Sequence, residues 1–225
     1  LHVKRHSFPT RRSSDLITGS AKKRIVSDLI EWSATIEATA PDRTEAYRQL
    51  HAHTAKAQAF LTGRGVVEKE VSVSAAGIDA IYETEYVGTG EDRIARQALK
   101  GYLARQSVTV RSQDVALIEK MSREITDLLE QGITISSSMP LYYYTKLGEM
   151  KIEMLAEASA DARTRAENMV NSAGGAKLGN LRSADMGVIN INPANQTQGS
   201  WDGNNDTTSL EKDIITIVHA VYALE

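Results

Sequence analysis

Near the C-terminus, four acidic and amide side chains have the spacing of a cation-binding loop. In DGNNDTTSLEKD, residues 202–213, Asp202, Asn204 and Asp206 stand at positions one, three and five of a calcium loop, and Asp213 at position twelve. The pattern fails where that chemistry is strictest. Position six, which needs glycine for a sharp turn, is Thr207, position twelve is Asp instead of Glu, and no helical pattern flanks the stretch. Asn, Asp and Gly in this density are what turns require. Residues 193–209 are therefore expected to form a mobile polar loop that binds no calcium.

The histidines offer less. His51 and His53 lie two residues apart on a predicted helix, so their side chains point about 200° apart and cannot share one metal. His219 sits between Ile217 and Val221 on a predicted strand, with no Ser or Asp partner assignable from the sequence. GTGEDR, residues 88–93, lacks the third glycine of a dinucleotide fingerprint. There is no Gly-Lys-Ser/Thr phosphate loop and no Gly-x-Ser-x-Gly elbow. Tyr142, Tyr143 and Tyr144 could stack or carry a radical, but tyrosine is also an ordinary strand former. The sequons at Asn195 and Asn205 arise readily in an Asn/Thr-rich loop. No catalytic, cofactor-binding or metal-ligating residue is assigned, and no cofactor is expected. Without cysteine, disulfides, thiolate metal sites and a Cys nucleophile are excluded.

The elements that would position these residues follow from periodicity. DLIEWSATIEA, residues 28–38, alternates: Ile30, Trp32, Ala34, Ile36 and Ala38 share one face of a half-buried strand. Pro41 ends it, Asp42 caps a helix with Glu45 in the capping-box position, and the helix runs to about Leu61 with Ala46, Leu50, Ala57 and Phe60 inward. A second strand region, broken near Gly77, precedes a polar connection over residues 84–99. Alternation returns with Tyr102, Ala104, Val108 and Val110. Ser112 is the expected cap of a helix carrying Val115, Ile118, Met121, Ile125 and Leu128, stopped by Gly132. ITISSSMPLYYYT is a strand interrupted at Pro140.

A long Ala-rich helix spans about 147–172, its inner stripe read as Ile152, Leu155, Ser159, Ala162, Ala166, Met169 and Ala173. Small side chains there predict close approach to a sheet. A strand region over 176–192 follows, and the closing DIITIVHAVYALE is apolar on both faces, so it should be central in its sheet. The class is α+β: two strand–helix–strand units, a long Ala-rich helix and a C-terminal strand pair, with helices packed on mainly antiparallel sheet. One domain over 17–225 is expected, with a possible internal duplication of 17–99 and 100–225.

HSFPTRRSSDL, residues 6–16, matches the translation of a short-read sequencing adapter letter for letter. Residues 1–16 are therefore read as a non-native or disordered leader. Without them the chain carries 22 basic against 28 acidic residues, a net charge near −6, which argues against a broad phosphate-binding surface and so against nucleic acid.

ITGSAKKRIVSDLIEWSATIEA, the strand RQSVTVRS, the helix YYYTKLGEMKIEMLAEASADARTRAENM and the closing EKDIITIVHAVYALE together resemble the bacterial SIMPL-domain family over Ile17–Glu225. The resemblance implies a periplasmic or cell-envelope protein with an N-terminal signal or membrane anchor lost from this sequence. It also implies a link to oxidative-stress defence in some members, and assembly into homo-oligomers. It carries no catalytic signature. The function expected is non-enzymatic, structural or stress-protective through self-assembly. The alternative is a small-molecule binding protein or enzyme whose pocket the sequence does not disclose.

Overall fold

The computed structural model describes residues 16–88, 93–196, 200 and 202–225. Residues 1–15 of the leader, most of GTGEDR and part of the 193–209 loop lie outside the described residues. The chain forms two compact units. Both are α+β, each with helix packed on one face of a sheet that is antiparallel apart from a single two-residue bridge.

The larger unit comprises 26–145 and 207–210. Its sheet is centred on β2 (Leu29–Ala40) and β5 (Ile94–Ser112), which pair antiparallel from Ile30↔Ser112 to Ala40↔Tyr102. β3 (Val71–Val73) and β4 (Gly77–Val87) extend it beyond β5, while β6 (Thr134–Ser137) and β7 (Leu141–Tyr143) pair with β2. The alternation read in β2 is realised: Ile30, Trp32, Ala34, Ile36 and Ala38 are all buried. They face α1 (Arg43–Gly63) and α2 (Val115–Glu124), which continues as a 3-10 helix over Ile125–Gln131. Asp42 caps α1 by accepting from the amides of Thr44 and Glu45. Gly132 closes the 3-10 segment in the left-handed region at φ 75°.

Several polar groups at this core are satisfied in chains. Trp32 Nε1 donates to Ser137 Oγ at 2.9 Å, and that hydroxyl donates to the Ser122 carbonyl at 2.6 Å. Thr54, inside α1, donates to Gln106 Oε1 at 3.0 Å. Burying such groups without partners would cost about 1–3 kcal/mol each.

The smaller unit comprises the described residues up to Ile25 and those within 146–206 and 211–225. β11 (Glu211–Leu224) is its central strand, flanked by β1 (Leu16–Val26) on one side and by β8 (Leu178–Met186) and β9 (Asn190–Pro193) on the other. β10 (Asn204–Asn205) adds a short parallel pairing to β9. α3 (Leu147–Ala173) covers one face, with Met154, Ala158, Ala162 and Ala166 buried. The approach is close enough that no side chain fits at Gly19 of β1. A methyl there would lie 2.1 Å from the Ala158 carbonyl oxygen. Asp161 on α3 fixes the same contact by accepting from the Ser20 amide at 2.8 Å; that bond, then Arg165, holds its carboxyl below the usual range.

Four expectations are corrected. The α3 stripe holds at Ala162 and Ala166, but Ile152, Ser159, Met169 and Ala173 are exposed and the row advances strictly by four. The helix thus lays one i, i+4 ridge on the sheet, not a heptad seam. Within the expected polar connection over 84–99, residues 84–87 and 94–99 are the ends of β4 and β5. The cap of α2 is Asp114, which accepts from the Leu117 amide, while Ser112 accepts from the Asp114 amide. β1 was absent from the periodicity reading because its inward positions include Gly19, Ala21 and Lys23, a face kept small or polar to admit α3.

Candidate functional site

The sequence-derived candidates are dispersed. His51 is exposed on α1, while His53 is half-buried with its Nδ1 buried and without a partner. His219 faces away from α3, its Nδ1 3.1 Å from Thr18 Oγ1 on β1. Tyr142 donates to Glu119 Oε1 at 2.7 Å; burial, then that carboxylate, push its phenol up to about 12, so it serves as a core hydroxyl. Tyr143 and Tyr144 are half-buried beside it in sequence.

The calcium-like residues have other partners. Asn204 Nδ2 donates to Asn192 Oδ1 at 2.8 Å, and the Asp206 amide donates to the Ile191 carbonyl at 3.0 Å. Asp213, at position twelve, is almost fully buried and receives Arg24 Nε at 2.5 Å, Lys22 Nζ at 3.0 Å and the Asn195 amide at 2.8 Å. Hydrogen bonding from Arg24 is the largest cause holding its carboxyl well below the usual carboxylate range. Asn195 sits at φ 68°, a left-handed conformation that asparagine tolerates. The acidic residue expected at the end of a cation loop thus anchors that loop through an ion pair. Lys212, beside it and buried, donates to the Asp206 carbonyl, and burial lowers its pKa. Among the described residues, no group of three or more His, Asp or Glu side chains could hold a metal ion.

Two features of the structure were not legible in the sequence. The first is in the larger unit. β2 ends opposite Tyr102, so beyond that point β5 pairs with β4 alone, from Ile81↔Gly101 to Val87↔Ile94. The two strands leave the sheet as a ribbon. Gly101 marks the exit: a methyl there would lie 2.7 Å from the Ala40 carbonyl oxygen. Tyr82, Tyr86, Val87, Ile94 and Leu99 on this ribbon are each more than half exposed. Tyr82, Leu99 and Tyr86 share one face, and Val87 and Ile94 the other. Arg93 stacks over the Tyr86 ring at 4.0 Å. A two-stranded ribbon standing alone in water is marginally stable, and apolar side chains in this number on both faces mark an interaction surface.

The second is in the smaller unit. The C-terminal end of α3 stops short of closing over β1, β8 and β11, leaving a cavity of about 470 Å³ whose lining includes Ile17, Ala166, Val170, Leu178 and Tyr222. A further cavity of about 550 Å³ lies in the same unit, and Asp185, Asn190, Ile217 and His219 line it.

Compared with known proteins, residues 16–222 match the family model described as SIMPL: protein of unknown function (DUF541). No curated protein matches the chain.

Proposed function

The chain belongs to the SIMPL family of proteins of unknown function, and from that premise we propose that it is a non-enzymatic protein of the cell envelope. Its role in this reading is structural or stress-protective and is exercised by self-association. The observation that carries the proposal is the β4–β5 ribbon, with Tyr82, Tyr86, Val87, Ile94 and Leu99 exposed on a two-stranded arm.

The arm's chemistry favours a second copy as the partner. It carries both signs of charge, Glu83 paired with Lys100 and Glu85 opposite Arg96, so two arms can meet without a net repulsive field. Its aromatic and branched side chains are those enriched at the centre of protein interfaces. The envelope location rests on the family resemblance. No helix among the described residues is long and apolar enough to cross a membrane.

Light scattering after size-exclusion chromatography tests the reading. The full chain, 24.6 kDa as a monomer, is expected to elute as an oligomer at tens of micromolar. Tyr86→Glu combined with Leu99→Glu is expected to return it to monomer without loss of secondary structure. A strictly monomeric parent, or an oligomer indifferent to those substitutions, refutes the ribbon as assembly surface.

A further inference from the structure

We propose that the cavity at the C-terminal end of α3 binds an uncharged, largely hydrocarbon molecule bearing a hydroxyl or similar small polar head. The argument begins with the lining. Its aliphatic side chains come from β1, α3, β8 and β11, and its only hydroxyl, amide or charged side-chain group is the hydroxyl of Tyr222. At about 470 Å³ the cavity falls within the ~300–1,000 Å³ of small-molecule sites. It would hold roughly fifteen groups of the ~30 Å³ that one water occupies.

The rim is what separates this cavity from a gap in packing. Met169 and Leu224 are each more than half exposed around it, although they are large and apolar. A stretch selected only to end a helix over a sheet would place polar residues at such positions. Filling the cavity with hydrocarbon takes both out of water together.

The head group follows from electrostatics. Val170, Ala173 and Gly174, at the last turn of α3, form one wall. That turn is the negative end of a 27-residue helix and has no basic residue, so a carboxylate or phosphate placed there is repelled. Lys177 and Glu225, next in sequence to the lining residues Ala176, Leu178 and Leu224, are opposite in sign, pair with each other through their backbones and line none of the cavity. Tyr222, nearly buried, hydrogen-bonds no described residue through its hydroxyl and is free to bond a neutral polar head. The small residues Ala166, Ala173 and Ala176 leave the space that larger side chains would fill. The site lies in the smaller unit and the ribbon in the larger, so the two proposals stand or fall separately.

The test uses the full chain and the neutral fluorescent probe N-phenyl-1-naphthylamine. Saturable one-to-one binding in the micromolar range is expected, with 1-dodecanol displacing the probe at least tenfold more effectively than dodecanoate. Ala173→Trp, at an exposed position on the cavity wall, should weaken probe binding at least tenfold with the circular dichroism spectrum and Tm unchanged. Tyr222→Phe should weaken dodecanol several-fold and leave the probe as before. Absence of saturable binding overturns the proposal. So does binding that Ala173→Trp does not alter, which would place the probe elsewhere, or dodecanoate competing as well as dodecanol.

Discussion

Gly19→Ala should be among the most damaging single substitutions in the smaller unit, although it adds one methyl group. A Cβ at residue 19 would lie 2.1 Å from the Ala158 carbonyl oxygen, 2.4 Å from the Ala162 amide nitrogen and 2.6 Å from the Ala162 Cβ, where ordinary contact begins at 3.4 Å. Two of those three atoms are helix backbone, so no rotamer change relieves the clash. The whole of α3 must retreat by about 1 Å, and a gap of that size forfeits a quarter to a half of each dispersion contact along the shared surface. The Asp161 bond to the Ser20 amide is stretched by the same movement. Overpacking of this kind costs about 1–3 kcal/mol, and the backbone-to-backbone geometry places the expectation at the upper end, about 3 kcal/mol. Urea denaturation followed by circular dichroism measures the loss, and hydrogen exchange at α3 amides localises it. Gly148→Ala is the control: it lies on the same helix, a methyl there meets nothing within 4 Å, and alanine should stabilise the helix by about 0.5–1 kcal/mol. A Gly19→Ala variant within about 0.5 kcal/mol of the parent would show that α3 does not lie on β1 as described.

Asp213→Asn should flatten the acid limb of the stability curve. Its carboxyl is held below its unfolded value near 3.9, so the stabilisation is complete above that pH and is lost as pH falls through it toward the folded value. Urea midpoints for parent and variant should therefore converge on acidification from pH 6 to pH 3, and parallel curves would refute the assignment. Thr216→Val should stabilise the smaller unit by about 1 kcal/mol, because Thr216 is fully buried on β11 and its hydroxyl has no partner. A lower thermal midpoint in calorimetry would mean that the hydroxyl is satisfied after all.

What the sequence determined by itself was the buried side of β2, α1 and α2. β2 was legible residue by residue because alternation has a period of two and one face meets two helices. The Asp42 cap and the Gly132 stop were legible because each is a local backbone requirement. β11 was placed centrally from apolar residues on both faces, and it is central, although Ile215, Ile217, His219 and Val221 on the face away from α3 are only half-buried. The family was legible from Ile17 onward in the order of these same structural residues, and the match covers 16–222.

Tertiary structure decided what periodicity does not encode. β1 presents Gly19 and Ala21 where a strand ordinarily shows large apolar side chains, so only the presence of α3 explains its pattern. The ribbon formed by 82–87 and 94–99 buries neither face, so alternation gave no strand signal there; only its pairing register shows that β4 and β5 continue past the end of β2. Asp213 has the spacing of a cation ligand, and which partner it takes depends on Lys22 and Arg24, some 190 residues earlier in the chain. The cavity at the end of α3 is a matter of where a helix stops relative to three strands. Its lining comes from three separated stretches of the chain, each carrying residues ordinary for a core. Spacing along a chain reports which face of an element is dry; it does not report which dry faces, once assembled, fail to meet.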